Sequence, residues 1–159
     1  MNSNNSSMLL TQIEAIWVQC EQPIKMRGSE NFKLQMPIDI PKKPGIYRLV
    51  IEGQNSFEHD IYVGEGEDVH KRLKDYENAG WMPERRAYTN RRVQGWLVES
   101  IRAGATIEVQ HCTLASIQVN GSLRKDLGLD QRYNRMLIEN SLFSHFEGRK
   151  FLNKIARSK

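Results

Sequence analysis

Cysteine is scarce in this chain: only Cys20 and Cys112 occur, far apart and with no CxxC spacing. That excludes a disulfide framework or a zinc knuckle as the organising device, and a reducing cytoplasm is the expected setting. Long apolar runs are also missing. None approaches the roughly 20 residues that a membrane-spanning helix needs, so no membrane partner is expected. Residues 1–7, rich in Asn and Ser, lack the basic start and apolar run of a secretory signal. Nor does one sign of charge dominate. Lys plus Arg number 23 against 19 Asp plus Glu, a net charge of +4. Composition therefore does not by itself mark a nucleic-acid binder, and the distribution of charge has to decide.

The chain has the size of one domain, 159 residues, enough for one core. Residues 1–7 read as a disordered tail, because Asn and Ser bury too little to offset the entropy of ordering. Residues 8–43 read as an N-terminal helix followed by an irregular extension. Leu9, Leu10, Ile13, Ile16 and Trp17 recur at helical spacing, and Pro23, Gly28, Pro37 and Pro41 break up the extension. From residue 44 onward the pattern sharpens. Gly45 to Ile51 and Phe57 to Gly64 are β-rich runs around a turn-forming segment, a hairpin with a longish loop. The acidic residues Glu65, Glu67 and Asp68 then suit the positive end of a helix running to about Asn78. A basic, turn-like insert over 81–95 leads into a second helix marked by Val93, Trp96, Leu97 and Ile101 and closed by Gly104. Ala105 to Cys112 alternates as a third strand. A last helix is expected over about Gln131 to Phe146, with Tyr133, Met136, Leu137, Asn140 and Phe143 on one face. This order predicts an α/β sandwich around a small, mainly antiparallel three-stranded sheet.

Two strand motifs share a format. Gly45-Ile46-Tyr47 opens one hairpin arm and Tyr62-Val63-Gly64 closes the other, so antiparallel pairing can put both phenols on one face. Arg72 lies on the next helix, with Tyr76 one turn beyond it. With Glu139 on a later helix and Asn153 downstream, the ordered set resembles the GIY-YIG nuclease family over roughly residues 44–153. The resemblance implies a GIY-YIG-like fold for residues 44–159 and a catalytic set of Tyr47, Tyr62, Arg72, Tyr76, Glu139 and Asn153. It also implies Mg²⁺ (or Mn²⁺) as cofactor, with Glu139 as the metal ligand, and DNA as the partner. Glu65 departs from the pattern, being acidic where a number of members carry a basic residue.

The residue types suit phosphodiester hydrolysis, which needs an activated water, charge relief on phosphoryl oxygens and help for the leaving oxygen. One carboxylate can hold Mg²⁺ that keeps most of its waters. A guanidinium can clamp a phosphate with planar, charge-assisted hydrogen bonds. A Tyr beside such charges can have its pKa lowered enough to take a proton from water. By resemblance Tyr47 is the base and Tyr62 the orienting group, whereas the residues alone leave that division open. Asn153 reads as a positioning hydrogen-bonder. Arg85, Arg86, Arg91 and Arg92, interleaved with Trp81, Tyr88 and Trp96, are expected to contact DNA together with Lys71, and Lys74, Arg132 and Arg135 would extend that surface. His70, two positions from Arg72, is expected to point elsewhere.

The function expected is a divalent-metal-dependent DNA endonuclease of restriction or defence type. The competing expectation is a catalytically idle nucleic-acid-binding module on the same fold. A homo-oligomer is left open. The geometric consequence of the enzyme reading is definite: Tyr47, Tyr62, Arg72 and Glu139 should converge on one concave, positively charged patch.

Overall fold

The computed structural model of the chain describes residues 10–28, 33–52, 60–81, 84–145 and 151–153, with the backbone alone for 81, 84–87 and 145. The expected tail and the 53–59 turn therefore lie outside the described residues.

The fold is mixed α/β. Its main sheet consists of β1 (Thr11–Gln19), β4 (Gly45–Glu52), β5 (Ile61–Gly66), β6 (Thr106–Val119) and β7 (Lys125–Asp126). The strands run in the order β1-β6-β4-β5, and β7 pairs with β6 beyond the end of β4. Among the described residues every strand pair is antiparallel, and the one parallel contact is a bridge between Ile61 and Phe151. A separate two-stranded ribbon joins β2 (Lys25–Arg27) and β3 (Lys33–Gln35). The helices are α1 (Val69–Glu77), α2 (Glu84–Arg102) and α3 (Arg132–His145). Among the described residues, no helix is long and apolar enough to cross a membrane.

Side-chain alternation sorts the sheet into two faces. Tyr47, Leu49, Ile51 and Tyr62 pack with Leu73 and Tyr76 of α1 and with Val93 and Leu97 of α2. Ile46, Val50, Ile61 and Val63 turn the other way and meet Ile138 and Leu142 of α3. The sheet is thus the middle layer, with α1 and α2 on one side and α3 on the other.

Several expectations need correction. The segment read as an N-terminal helix is β1. Its Ile13, Ala15 and Trp17 alternate inward over the α3 side, while the β-branched Ile16 and Val18 stay exposed. The helical spacing is a coincidence of two overlapping alternations, and the long edge of β6 supplies a partner that a local pattern cannot reveal. The sheet accordingly has five strands, not three, and the extension read as irregular contains β2 and β3. The basic insert is not a turn but the opening of α2. From Glu84 to Gln94 the sequence has neither glycine nor proline, and its arginines are good helix formers.

The last helix has the expected extent but turns a different face inward. Tyr133, Met136 and Leu137 are exposed, and the buried row is Arg135, Ile138 and Leu142. Gly104 closes α2 as expected, with a φ of 85° that a side chain would strain. Asp68 caps α1, its carboxylate accepting from Lys71 N–H at 2.8 Å.

Both cysteines are free and buried. Burial, reinforced by nearby Asp39, pushes the Cys20 thiol from 9.0 up to about 12. Burial also pushes the Cys112 thiol up and His111 down from 6.5, Asp39 opposing the latter shift. A thiol that ionises more readily unfolded contributes stability that is complete below pH 9 and is lost as pH rises toward 12. The depressed imidazole contributes stability that is complete above pH 6.5 and is lost as pH falls. Denaturant midpoints should therefore hold level between about pH 7 and 9 and decline on both sides. Each group contributes a slope of at most about 1.4 kcal/mol per pH unit. A Cys20→Ser variant should show a shallower alkaline decline, and an unchanged one would contradict the assignment.

Candidate active site

Antiparallel register places the two motifs. Tyr47 stands opposite Gly64 and Leu49 opposite Tyr62, so both phenols lie on the α1 side of the sheet, two register positions apart. Gly64 is required there: a Cβ would lie 2.3 Å from the Tyr47 hydroxyl and 2.5 Å from its Cζ. Gly66 lets β5 turn into α1, since a Cβ would come within 3.1 Å of Arg72 Cβ. The first N–H groups of α1 are taken by the 41–43 segment, with Val69 N–H on Lys43 O and His70 N–H on Pro41 O. Arg72 is thereby fixed one turn into the helix, facing the phenols.

Where β5 ends, elements from both faces of the sheet meet around an open pocket of about 840 Å³. Tyr47, Tyr62, Arg72 and Glu139 all line it, together with Lys71, Asp75 and the strand end Gly64–Asp68. Glu139 reaches the pocket because α3 turns its Arg135 face inward, four residues before Glu139 on the same side of the helix. Arg135, only 1% exposed, donates to Glu65 at 2.7 Å and to the carbonyls of Leu129 and Asp130. Arg132 adds a longer contact to Glu65, at 3.4 Å. The acidic departure at Glu65 is thus the anchor of α3. Arg135 is correspondingly a structural cation, buried in these contacts.

The guanidinium of Arg72 is held from two sides. Its Nη1 donates to Asn90 Oδ1 at 2.9 Å and lies 3.7 Å from the Asp75 carboxylate, while its Cζ sits 5.2 Å from the centre of the Tyr76 ring. Sequence reasoning missed Asn90, which is buried on α2. An Asn in a helix interior, where it is a poor helix former, was the available signal.

Tyr76 does not line the pocket; it lies beneath it, fully buried. Its hydroxyl is 2.5 Å from that of Tyr47 and donates to that of Tyr62 at 3.2 Å. The three ring centres are 6.0 to 6.4 Å apart. At Tyr47, the residue expected to act as base, a lowered pKa is not found. Burial pushes Tyr47 well above the usual phenol range, Tyr62 adds to the rise, and Arg72 offsets only part of it. Tyr76 is raised for the same reasons, burial first.

Asn153 also lies off the pocket. Its side chain brackets Val63, accepting from the N–H at 2.9 Å and donating to the C=O at 2.6 Å. It substitutes for a neighbouring strand along the outer edge of β5 and so holds the strand carrying Tyr62 and Gly64.

Of the residues expected to contact DNA, Lys71 lines the pocket and is exposed. Arg91 donates to Ala79 O and Arg92 to Leu152 O, both at 3.3 Å, and neither lines the pocket. Arg85 and Arg86 lie outside the described side chains. Lys74 pairs with Glu77 at 2.8 Å, away from the pocket. The patch is concave, as expected, but among the described residues it is not positive: Glu65, Glu67, Asp68, Asp75 and Glu139 share it with Lys71, Arg72, Arg132 and Arg135.

The donor set fits a hydrated divalent cation but not a protein-built cage. Among the described residues, no three His, Cys, Asp or Glu side chains converge as metal ligands. Mg²⁺ commonly keeps several waters and takes one or two carboxylates, which Glu139 can supply from the pocket wall.

Compared with known proteins, the chain matches no family model, no curated protein and no solved structure.

Replacing Gly64 by Ala should displace the Tyr47 ring. The variant is expected to lose about 1–3 kcal/mol of stability, the usual cost of overpacking a core, and to show altered near-UV tyrosine dichroism. Wild-type melting and dichroism together would refute the close approach.

Proposed function

We propose that the chain is a GIY-YIG endonuclease that hydrolyses DNA phosphodiester bonds with Mg²⁺ or Mn²⁺ held at Glu139. The observation that carries this reading is convergence. Four residues spaced from position 47 to position 139, chosen on residue type and order, line one pocket drawn from β4, β5, α1 and α3. Tyrosines, an arginine and a carboxylate brought together by chance would have no reason to share a concave surface at a sheet terminus.

Each side chain has a defined part. Arg72, steadied by Asn90 and Asp75, presents its remaining donors to a phosphoryl oxygen and is already oriented when substrate arrives. Tyr47 and Tyr62 offer hydroxyls for handling protons at the reacting water and at the leaving oxygen. A divalent ion at Glu139 supplies charge relief at the phosphoryl oxygens. The charge balance of the pocket supports this need. Among the described lining residues, five carboxylates share the pocket with four cations, and two of those cations, Arg132 and Arg135, already engage Glu65. Such a surface repels a polyanion unless a divalent cation offsets it. The idle binding module has no equivalent use for a carboxylate facing the phosphate site.

Plasmid nicking tests the reading. In Mg²⁺ the wild type should convert supercoiled plasmid to open circles. Glu139→Ala should abolish nicking while keeping its circular dichroism and DNA affinity, and full activity in that variant would remove Glu139 from the metal site. Arg72→Ala should nick roughly 10²–10³-fold more slowly, as expected for the loss of a main transition-state contact. A wild type that binds plasmid and never cuts it, in either Mg²⁺ or Mn²⁺, would point to the idle module.

A further inference from the structure

Resting on the nuclease reading, we propose that Tyr76, buried beneath the pocket, relays a proton between the two pocket phenols. Attack on the phosphate and departure of the leaving oxygen are thereby coupled without forming a phenolate.

The hydrogen-bond directions come from counting protons. Each phenol has one hydroxyl hydrogen. Tyr76 donates its hydrogen to Tyr62 at 3.2 Å, so in the 2.5 Å contact the donor is Tyr47. The hydroxyls form a directed chain, Tyr47 to Tyr76 to Tyr62, whose two ends line the pocket and whose middle does not. At the first end, Tyr47 spends its hydrogen inward, accepts a hydrogen bond from Arg72 at the pocket wall and has one lone pair left for an incoming proton. Gly64 makes room for that hydroxyl, where any Cβ would collide with it. At the far end, Tyr62 accepts from Tyr76 and has its own hydrogen left to give.

The step balances. As the water oxygen bonds to phosphorus, its O–H bond breaks and the proton passes to Tyr47 Oη. Tyr47 hands its original proton to Tyr76, Tyr76 hands its own to Tyr62, and Tyr62 protonates the leaving oxygen as the P–O bond breaks. All three tyrosines end neutral, each with a new proton, and rotation of the three hydroxyls restores the starting directions. No net charge moves onto the phenols.

That property suits the site. A general base at Tyr47 would have to exist as phenolate in a position where burial, with Tyr62 adding to it, opposes ionisation more than Arg72 and the hydrogen bond to Tyr76 favour it. A relay asks only for neutral hydroxyls in line. The 3.2 Å link is longer than the usual 2.7–2.8 Å of an O–H···O bond, so the barrier of the relay lies in the Tyr76–Tyr62 hop.

Tyr76 touches no substrate in this scheme and is a positioning residue acting through Tyr47 and Tyr62. The test is Tyr76→Phe, which keeps the ring and its packing and removes only the relay oxygen. Cleavage of plasmid in Mg²⁺ should fall about 10²-fold or more in kcat, the range of proton-transfer catalysis. DNA affinity and melting temperature should stay near wild type. In mixtures of H₂O and D₂O the wild-type rate should fall along a curved proton inventory, which becomes linear in the variant. A variant that cuts at the wild-type rate, or slows with its inventory still curved, overturns the relay and leaves the nuclease reading standing. Independently of cleavage, the proton in the Tyr47–Tyr76 bond should give a slowly exchanging downfield NMR resonance, absent from Tyr76→Phe and from Tyr47→Phe. A missing resonance in the wild type also overturns the relay. If the resonance is present but the wild type cuts no DNA, the nuclease reading fails, and the relay fails with it for want of a reaction to serve.

Discussion

Tyr47 stands across from Gly64, and the hydroxyl of one fills the space that a side chain on the other would occupy. The rest of the site depends on this pairing. A register slip of one residue between β4 and β5 would put Tyr47 and Tyr62 on opposite faces of the sheet and turn the shifted strand's buried side chains out of their own core. With the register held, Tyr76 lies beneath both phenols, and Arg72 is carried to the pocket on the helix that begins as soon as β5 ends. Because β5 is an outer strand, its alignment needs support from beyond the sheet. Asn153 gives it by occupying both polar groups of Val63 from a point 90 residues further along the chain.

Electrostatics divides the cations into two populations. Arg135 is used up in holding two carbonyls and a carboxylate, Arg92 donates to one carbonyl, and Arg91 holds another from an exposed position. Arg135 illustrates why this is not a minor distinction. A guanidinium this deeply buried is tolerated only because Glu65 and two carbonyls satisfy it, and the same pairing rotates α3 until Glu139 faces the pocket. Lys71 and Arg72 remain on the pocket wall, among more carboxylates than they balance. The net positive charge of the chain therefore says little about the site, whose local balance is the reverse.

Much of this was legible in the sequence because the signals were local. The β-rich run Gly45–Ile51, alternation over Ala105–Cys112, an acidic cap before Val69, a glycine after Arg102 and the ordered residues 47, 62, 72 and 139 each need only short-range geometry or motif order. The buried face of α3 was misread because Tyr133, Met136 and Leu137 form a more apolar row than the one containing Arg135. Only a partner 70 residues away makes that arginine an acceptable core residue. The first strand was misread because its partner, β6, lies about a hundred residues downstream. Asn90 went unnoticed because its role exists only once α1 and α2 pack together.

The sequence by itself determined which residues could do chemistry and in what order they come, together with the glycines that the close approaches demand. These depend only on residue type, spacing and steric room. Only the tertiary structure decided that Glu139 faces Arg72, that Tyr76 lies beneath the pocket joining two phenols, and that most of the described arginines serve the fold. Those outcomes rest on pairings between distant segments, where burial sets the cost of leaving a charge or hydroxyl unsatisfied, and no local pattern encodes which distant partner will satisfy it.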